Sequence, residues 1–365
     1  MGGIFADGLE SVTISFDGTL VFSDDMDEWP RSENGDVHEC FKFSNFKDVT
    51  FTSSGKGLID GKGGKWWGIP GIGYLRRGEN RPRLFAMDHG TNILMENIIL
   101  KDSPYWTTYF QYCEGLEIRF CEISARRTEK ENHNLVDITA FNTDGFDVTG
   151  NNVWIHDCSI WNQDDTIAVK GDSSNMLFER ITASGVGLTI GSIGNNHVQN
   201  ITFRDCYMPN TYKGLYLKFR DGDSGLIENV TFENIVIDNP SQWPIWLGPA
   251  QQSDSSRLCA AHPCSICWPL VPFSKCNPSN SQYDNILFKN ITINNPEDYP
   301  GVILGNMTQG AMTNIVFEDV VVNNPKKGKE EYYVCEGVKT GVAKGKTFPV
   351  PSCFDDQTDA ALELA

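Results

Sequence analysis

Asp144, in Asn142-Thr143-Asp144-Gly145, and the pair Asp164 and Asp165, in Gln163-Asp164-Asp165, are carboxylates set in Asn- and Gly-rich breaks roughly one structural repeat apart. Carboxylates that converge without histidines at metal-ligand spacing suit hydrolysis of a glycosidic bond. One, protonated, serves the leaving oxygen, and another activates water. Like charges brought together raise the pKa of one member, which keeps an acid protonated near neutrality. Consecutive aspartates on a regular strand point to opposite sides, so Asp164 and Asp165 serve one cleft only from a corner or bulge. A water between acid and base calls for about 6.5–9.5 Å between their carboxyl groups. Aspartate as a simple turn filler accounts for one such residue, but not for three in adjacent repeats.

Two further breaks follow at the same interval: Gly185-Val186-Gly187-Leu188-Thr189-Ile190-Gly191-Ser192, then Gly214-Leu215-Tyr216-Leu217-Lys218-Phe219-Arg220. Tyr216 offers an aromatic face for a sugar ring. Lys218 offers a cation to balance the carboxylates, and Lys213 and Arg220 add positive charge nearby.

The elements that must hold these residues are read from eight segments starting at Asn92, Gly115, Asn152, Asn175, Asn200, Asn229, Asn285 and Asn314. Each has apolar residues at its second and fourth positions and, Phe120 excepted, a polar residue sixth, and the apolar phase resumes at the seventh. Most starts lie about 23 to 29 residues apart, the period of a solenoid coil. The fourth-position column reads Met95, Ile118, Ile155, Phe178, Phe203, Phe232, Phe288, Phe317. The seventh reads Ile98, Cys121, Cys158, Ile181, Cys206, Ile235, Ile291, Val320. Equivalent residues of stacked coils lie about 4.8 Å apart, so these columns predict interior ladders of an all-β parallel solenoid. A β-sandwich would not keep this register through eight segments. Two gaps exceed one coil. Gly115 to Asn152 includes Arg126-Arg127-Thr128-Glu129-Lys130, and Asn229 to Asn285 includes a cysteine-rich insertion. Such loops on a rigid scaffold shape clefts.

The ordered set Asn-Thr-Asp-Gly, Gln-Asp-Asp, Gly-x-Gly-x-x-x-Gly-Ser and a Lys-containing strand resembles glycoside hydrolase family 28, the polygalacturonase family. Gly57-Leu58-Ile59-Asp60-Gly61-Lys62-Gly63 with Trp66-Trp67, and Asp102-Ser103-Pro104-Tyr105-Trp106, match its upstream landmarks. The resemblance covers residues from about 10 to 325. It implies a single-stranded right-handed parallel β-helix and an inverting hydrolase of a pectic or related uronic-acid-containing polymer. In that reading Asp164 is the general acid, Asp144 and Asp165 position and deprotonate water, and Asn142, Tyr216 and Lys218 contact substrate. It calls for no cofactor and no metal. Two departures stand out: Val186 occupies the place of the family's Gly-His-Gly histidine, and Tyr216 that of an arginine expected to grip a carboxylate. An Arg lost from such a site is not a neutral change. Rhamnogalacturonan or another pectic or algal polymer therefore remains an alternative substrate, and an inactive carbohydrate-binding solenoid an alternative function. A Ca2+-assisted lyase fits less well, because no arginine accompanies the Gln-Asp-Asp pair.

Bulk properties bound the partners. A net charge of −18 excludes general nucleic-acid binding and demands a locally basic cleft for an acidic polymer. No apolar run is long enough for a membrane helix, and the chain is expected to act as a monomer on a polysaccharide. One β-helix domain is expected over 1–365, with a Cys-rich insertion at 248–283 and a C-terminal segment at 326–365. Cys121, Cys158 and Cys206 fall on interior positions as free thiols. Cys259, Cys264, Cys267 and Cys276, beside His262, suit two disulfides better than a zinc knuckle. Cys335 and Cys353 bracket the C-terminal segment as a disulfide staple. Disulfides point to secretion, yet Met1-Gly2-Gly3-Ile4-Phe5 is no signal peptide, so an upstream part is expected. Of the sequons at Asn200, Asn229, Asn290 and Asn306, the last is the expected glycosylation site. Trp243 and Trp246 either floor a sugar subsite or pack beneath the insertion.

Overall fold

The computed structural model describes residues 2–55, 57–70, 80–220, 222–254, 257–263, 280–308, 312–326 and 333–363. The chain forms two compact units, residues 1–169 with 176–186, and residues 170–175 with 187–365. Both are built from coils of the expected all-β, right-handed parallel β-helix.

In the first unit the long strands Phe41–Thr52, Phe85–Glu96, Thr108–Arg119 and Phe146–His156 stack in parallel, with Met95 beside Ile118 and Ile118 beside Ile155. After each turns a corner, the short strands Gly57–Asp60, Ile98–Lys101, Glu122–Ser124, Ser159–Trp161 and Thr182–Ser184 form a second parallel row. Strands Ile4–Asp7 and Glu10–Ser15 pair with Phe41–Thr52.

The second unit repeats the pattern through His197–Pro209, Leu226–Asp238, Gln282–Asn294 and Met312–Asn323. Here the fourth-position column becomes a phenylalanine ladder, stacked with ring centroids 5.0 Å apart for Phe203 and Phe232 and 5.1 Å for Phe232 and Phe288, and edge-to-face at 4.9 Å for Phe288 and Phe317. Cys206, Ile235, Ile291 and Val320 follow the predicted register. Cys121, Cys158 and Cys206 are buried free thiols, as their column requires.

The corners explain the asparagines. All eight first-position residues have φ between 53° and 68°, and the sixth-position residues, such as Asn97, Asp157, Asn234 and Asn290, are likewise left-handed. That region is disfavoured by the Cβ of most residues and tolerated by Gly, Asn and Asp. A third left-handed corner follows five residues later at Asn210, Asn239, Asn295 and Asn324. The corner amides bond along the stack: Asn290 donates to Asn234 at 2.9 Å and Asn295 to Asn239 at 3.1 Å. Asn229 accepts from Asn285 at 2.8 Å, so the sequons at Asn229 and Asn290 use their asparagines as corners.

Within 248–283, Gln251–Asp254 and Arg257–Pro263 form an antiparallel hairpin. Cys264, Cys267 and Cys276, and the side chains of Cys259 and His262, lie outside the described residues. Trp243 and Trp246 are buried and pack on each other, and Trp243 also packs on Tyr299. They are therefore packing residues rather than a sugar platform. Beyond residue 326 the parallel pairing continues through Tyr333–Glu336 and Gly341–Gly345. The expected Cys335–Cys353 disulfide is present, with Cα atoms 5.8 Å apart. Among the described residues no helix is long and apolar enough to cross a membrane.

Candidate active site

The three predicted aspartates meet at one corner of the first unit. One carboxylate oxygen from each of Asp144, Asp164 and Asp165 lies within 4.8 Å of the others. Asp164 and Asp165 straddle the corner after Ser159–Trp161, where Asp165 opens the strand Asp165–Val169. This change of direction is what lets consecutive residues face one place. The Asp165 N–H donates to Asp164 Oδ1 at 2.8 Å. Asn162 ties the corner from inside, donating from Nδ2 to the Thr143 and Asp165 carbonyls at 2.8 Å each.

Two glycines of the motifs exist because the corner is tight. A Cβ on Gly145 would stand 2.2 Å from the Thr166 carbonyl oxygen, and one on Gly185 would stand 2.1 Å from Asn162 Oδ1 and 2.6 Å from the Asp164 carbonyl oxygen. No side chain fits at either distance, so both glycines let adjacent coils close on the aspartates.

Two of the carboxylates are sequence neighbours and Gly145 draws in the third, so their facing oxygens lie within 4.8 Å. That is a span between single atoms, whereas the expected separation of about 6.5–9.5 Å is measured between carboxyl groups. A single water making hydrogen bonds of about 2.8 Å bridges oxygens at such a separation. Among the described residues this is also the grouping whose donors could ligate a cation; being all carboxylate oxygens, they would suit a hard one.

Asn142, predicted to contact substrate, hydrogen-bonds Asp164. Its backbone N–H and its Nδ2 donate to Asp164 Oδ2 at 3.1 and 3.4 Å, while its Oδ1 accepts from Arg81 Nη2 at 2.8 Å. With both ends of its amide engaged, it positions Asp164. Buried Arg81 also donates to the Pro104 and Phe141 carbonyls at 3.1 Å and lies 4.4 Å over the Tyr105 ring. Nothing in its sequence surroundings marks Arg81, because the chain around it lies outside the repeat.

Val186 is buried, and its N–H donates to the Asp164 carbonyl at 2.7 Å. An imidazole nevertheless reaches this region, from His133 in the Gly115–Asn152 gap. His133 Nδ1 is 2.9 Å from Gln163 Oε1, and Nε2 is 2.9 Å from Ser184 Oγ. Gln163 donates its Nε2 to the Ala125 carbonyl at 3.3 Å, so its oxygen is the atom turned to His133. The proton therefore sits on Nδ1, and Nε2 accepts from Ser184. Burial pushes the imidazole down to about 4, against the Gln163 hydrogen bond that raises it. The ring stacks on Trp161 at 4.7 Å. Its sequence signal was only a histidine in a long gap opposite a coil that lacks one.

Tyr216 and Lys218 belong to the second unit, on the strand Leu215–Phe219. Tyr216 is 1% exposed, and the ammonium groups of Lys218 and Lys213 lie 4.4 and 5.1 Å from its ring centroid. A sugar has no access to that face, which corrects the expected stacking role. Tyr216 is a seat for lysines, and Lys213 is further fixed by Gln242 Oε1 at 2.6 Å.

The chain was compared with known proteins on this basis. The model for glycosyl hydrolases family 28 matches residues 5–342. A polygalacturonase of Chamaecyparis obtusa is 29% identical over 244 residues, 64% of this chain and 44% of that protein. A probable exopolygalacturonase B of Neosartorya fischeri is 25% identical over 334 residues, 83% of this chain and 72% of that one. The chain spans about half the length of several curated relatives, 44% and 58% in two of them. Among solved structures, the endo-xylogalacturonan hydrolase from Aspergillus tubingensis has a TM-score of 0.64 at 18% identity, covering 97% of this chain and 89% of that one. The polygalacturonase from Erwinia carotovora ssp. carotovora gives 0.63 at 19%, covering 93% and 85%. With its family model matched over nearly the whole length, its coils in the predicted register and its aspartates gathered at one corner, the chain belongs to glycosyl hydrolases family 28.

Proposed function

We propose that this protein hydrolyses glycosidic bonds in a pectic or related uronic-acid-containing polysaccharide. The observation that carries the proposal is the meeting of Asp144, Asp164 and Asp165 within 4.8 Å. Asp164, steadied by two donors from Asn142, protonates the leaving oxygen. Asp144 and Asp165 hold a water and take its proton as it attacks the anomeric carbon. His133 acts one step back: as a neutral ring between Gln163 and Ser184 it fixes the segment that carries Asp164.

The family assignment and the polygalacturonase relatives support the substrate class. Lys218 is proposed as a substrate contact, its ammonium held over Tyr216, and Lys218→Met should raise KM for acidic polymers. The Cys335–Cys353 disulfide supports an oxidising, extracellular setting. Incubation with a panel of pectic and algal polysaccharides tests the whole reading. New reducing ends without an unsaturated chromophore are expected, unaffected by a chelator. A chromophore would mean a lyase, and polymer depletion without products would mean a binder.

A further inference from the structure

The turns that follow the short strands of the first unit stack in register. Asp60 pairs with Lys101, Lys101 with Ser124, and Ser124 with Trp161. The turns beginning at Gly61, Asp102, Ala125 and Asn162 therefore form one continuous face that ends at Gln163-Asp164-Asp165. On this face, away from the aspartates, lies a cleft of about 300 Å³ lined by Lys62, Lys65, Arg126 and Arg127, with Trp67, Asp102 and Asp24.

Its walls are built rather than incidental. Arg127 donates to the Gly64 and Gly68 carbonyls at 3.1 and 2.8 Å and to Thr139 Oγ1 at 2.8 Å, and its guanidinium lies 5.2 Å from the Trp67 ring. Trp67 is itself buried and donates to the Ser103 carbonyl at 2.8 Å. Gly64 leaves the mouth open: a Cβ there would meet only Arg127 Nη1, at 3.9 Å. The other cations are held loosely. Lys62 pairs with Asp60 at 3.4 Å and Lys65 with Asp24 at 3.1 Å, with lysine side chains 49% and 64% exposed. Arg126 pairs with the exposed Glu129 at 3.0 Å. Exposed pairs of this kind contribute little to stability, so these groups can turn to another anion at little cost.

We propose that this cleft is a subsite for the carboxylate of a uronic acid residue a few sugars away from the bond that is cleaved. Three coil steps separate the Lys62 turn from the Asp164 turn, about 14 Å at one strand spacing per step, which is the length of a few pyranose rings. Lys62, Lys65, Arg126 and Arg127 line the cleft with Asp24 and Asp102, and Asp60 and Glu129 stand behind Lys62 and Arg126, in a chain whose net charge is −18. Asp102 faces Asp60, Lys62, Lys101, Arg127 and the Arg126 N–H, and burial pushes its carboxyl up to about 6. Below that pH the cleft loses one negative charge and its attraction for an anionic sugar grows. The inference takes from the proposed function only that an acidic polymer lies along this face.

The test is calorimetric binding of octagalacturonate, trigalacturonate and fully methyl-esterified octamer, in an Asp164→Asn background to prevent cleavage, with and without Lys62→Gln/Lys65→Gln. The expected result is about a tenfold loss of octamer affinity in the lysine variant, with trimer and ester unchanged. Lys62→Arg/Lys65→Arg should restore octamer binding, and melting temperatures check the fold. Equal octamer affinity with and without the lysines would overturn the subsite. So would an ester bound as tightly as the acid, or an octamer that does not bind at all. If the octamer behaves as expected yet the unmutated protein cleaves no uronate polymer, the hydrolase reading fails and the subsite stands. Normal cleavage with lysine-independent binding is the reverse case.

Discussion

Asn142 directs two donors, its backbone N–H and its side-chain Nδ2, at the same oxygen, Oδ2 of Asp164. The other oxygen, Oδ1, accepts the Asp165 N–H at 2.8 Å, so the carboxyl group is fixed at both ends, and Arg81 holds the Asn142 amide from behind. Asn142→Ala should therefore lower kcat by about ten- to a hundredfold while moving KM by less than about threefold, if it loosens Asp164, the proposed acid, rather than removing a sugar contact. Asp164→Asn should abolish turnover. Steady-state kinetics on the best polymer of the panel checks both, and a pure KM effect for Asn142→Ala would return that residue to the substrate.

His133 provides a second kinetic test. If the imidazole stiffens the Gln163 corner, His133→Ala should reduce kcat by about tenfold, on the order of 1.4 kcal/mol. His133→Gln, which can bond both Gln163 and Ser184, should recover part of the loss. Installing a histidine by Val186→His should not rescue His133→Ala, because position 186 is buried and an imidazole there would not stand between Gln163 and Ser184.

The pH dependence of stability should carry two opposed contributions. His133 sits at about 4 in the fold against an ordinary 6.5. The unfolded chain takes up that proton first, so the contribution is present above 6.5 and is lost as pH falls toward 4. Asp102 sits at about 6 against 3.8. Its contribution is present below 3.8 and is lost as pH rises through 6. Melting curves between pH 4 and 6.5 should show a shallower acid-side loss in His133→Ala and a steeper one in Asp102→Asn.

The stereochemical outcome is decided by composition more than by distance. The 4.8 Å span lies between facing oxygens, so it does not choose between the roughly 5 Å carboxyl separation of retaining enzymes and the roughly 6.5–9.5 Å of inverting ones. Yet a covalent nucleophile and an acid need two carboxyl groups, whereas a water held by two and a proton given by one need three. Inversion is expected, and proton NMR of the first-formed product reads it. A retained anomer would overturn the assignment of Asp144 and Asp165 to water.

The C-terminal staple closes a loop with a sequence separation of 18. A loop of that size restricts the unfolded chain by about 3 kcal/mol. Cys335→Ser with Cys353→Ser should lower stability by that order in denaturant titrations, with kcat unchanged.

The sequence made the ladders legible because Phe203, Phe232, Phe288 and Phe317 recur in a column that only stacked coils explain. It marked the three aspartates because they sit where that column pattern breaks. Arg81 and His133 were invisible for the complementary reason: they enter from outside the repeat, and only the closure of the fold brings them to Asn142 and Gln163. Tyr216 was misread because residue type announces stacking while burial decides what stacks. Its ring receives ammonium groups from its own unit.

The left-handed corners have a consequence for how such a chain can change. In the second unit they recur every five residues, at Asn229, Asn234 and Asn239, then at Asn285, Asn290 and Asn295. Each amide hands a hydrogen bond to its counterpart in the neighbouring coil. A single residue gained or lost between two corners would put an ordinary side chain into a left-handed turn, where Phe120 and Arg180 already stand in the first unit, and would also break the amide line on both sides, so small length changes there are disfavoured. Whole excursions are free wherever the chain leaves one rung and returns to the next, as it does between Asn239 and Asn285. The scaffold therefore acts as a reading frame. Novelty enters most readily as complete loops between intact rungs, and what this protein recognises can diversify while its carboxylates stay in place.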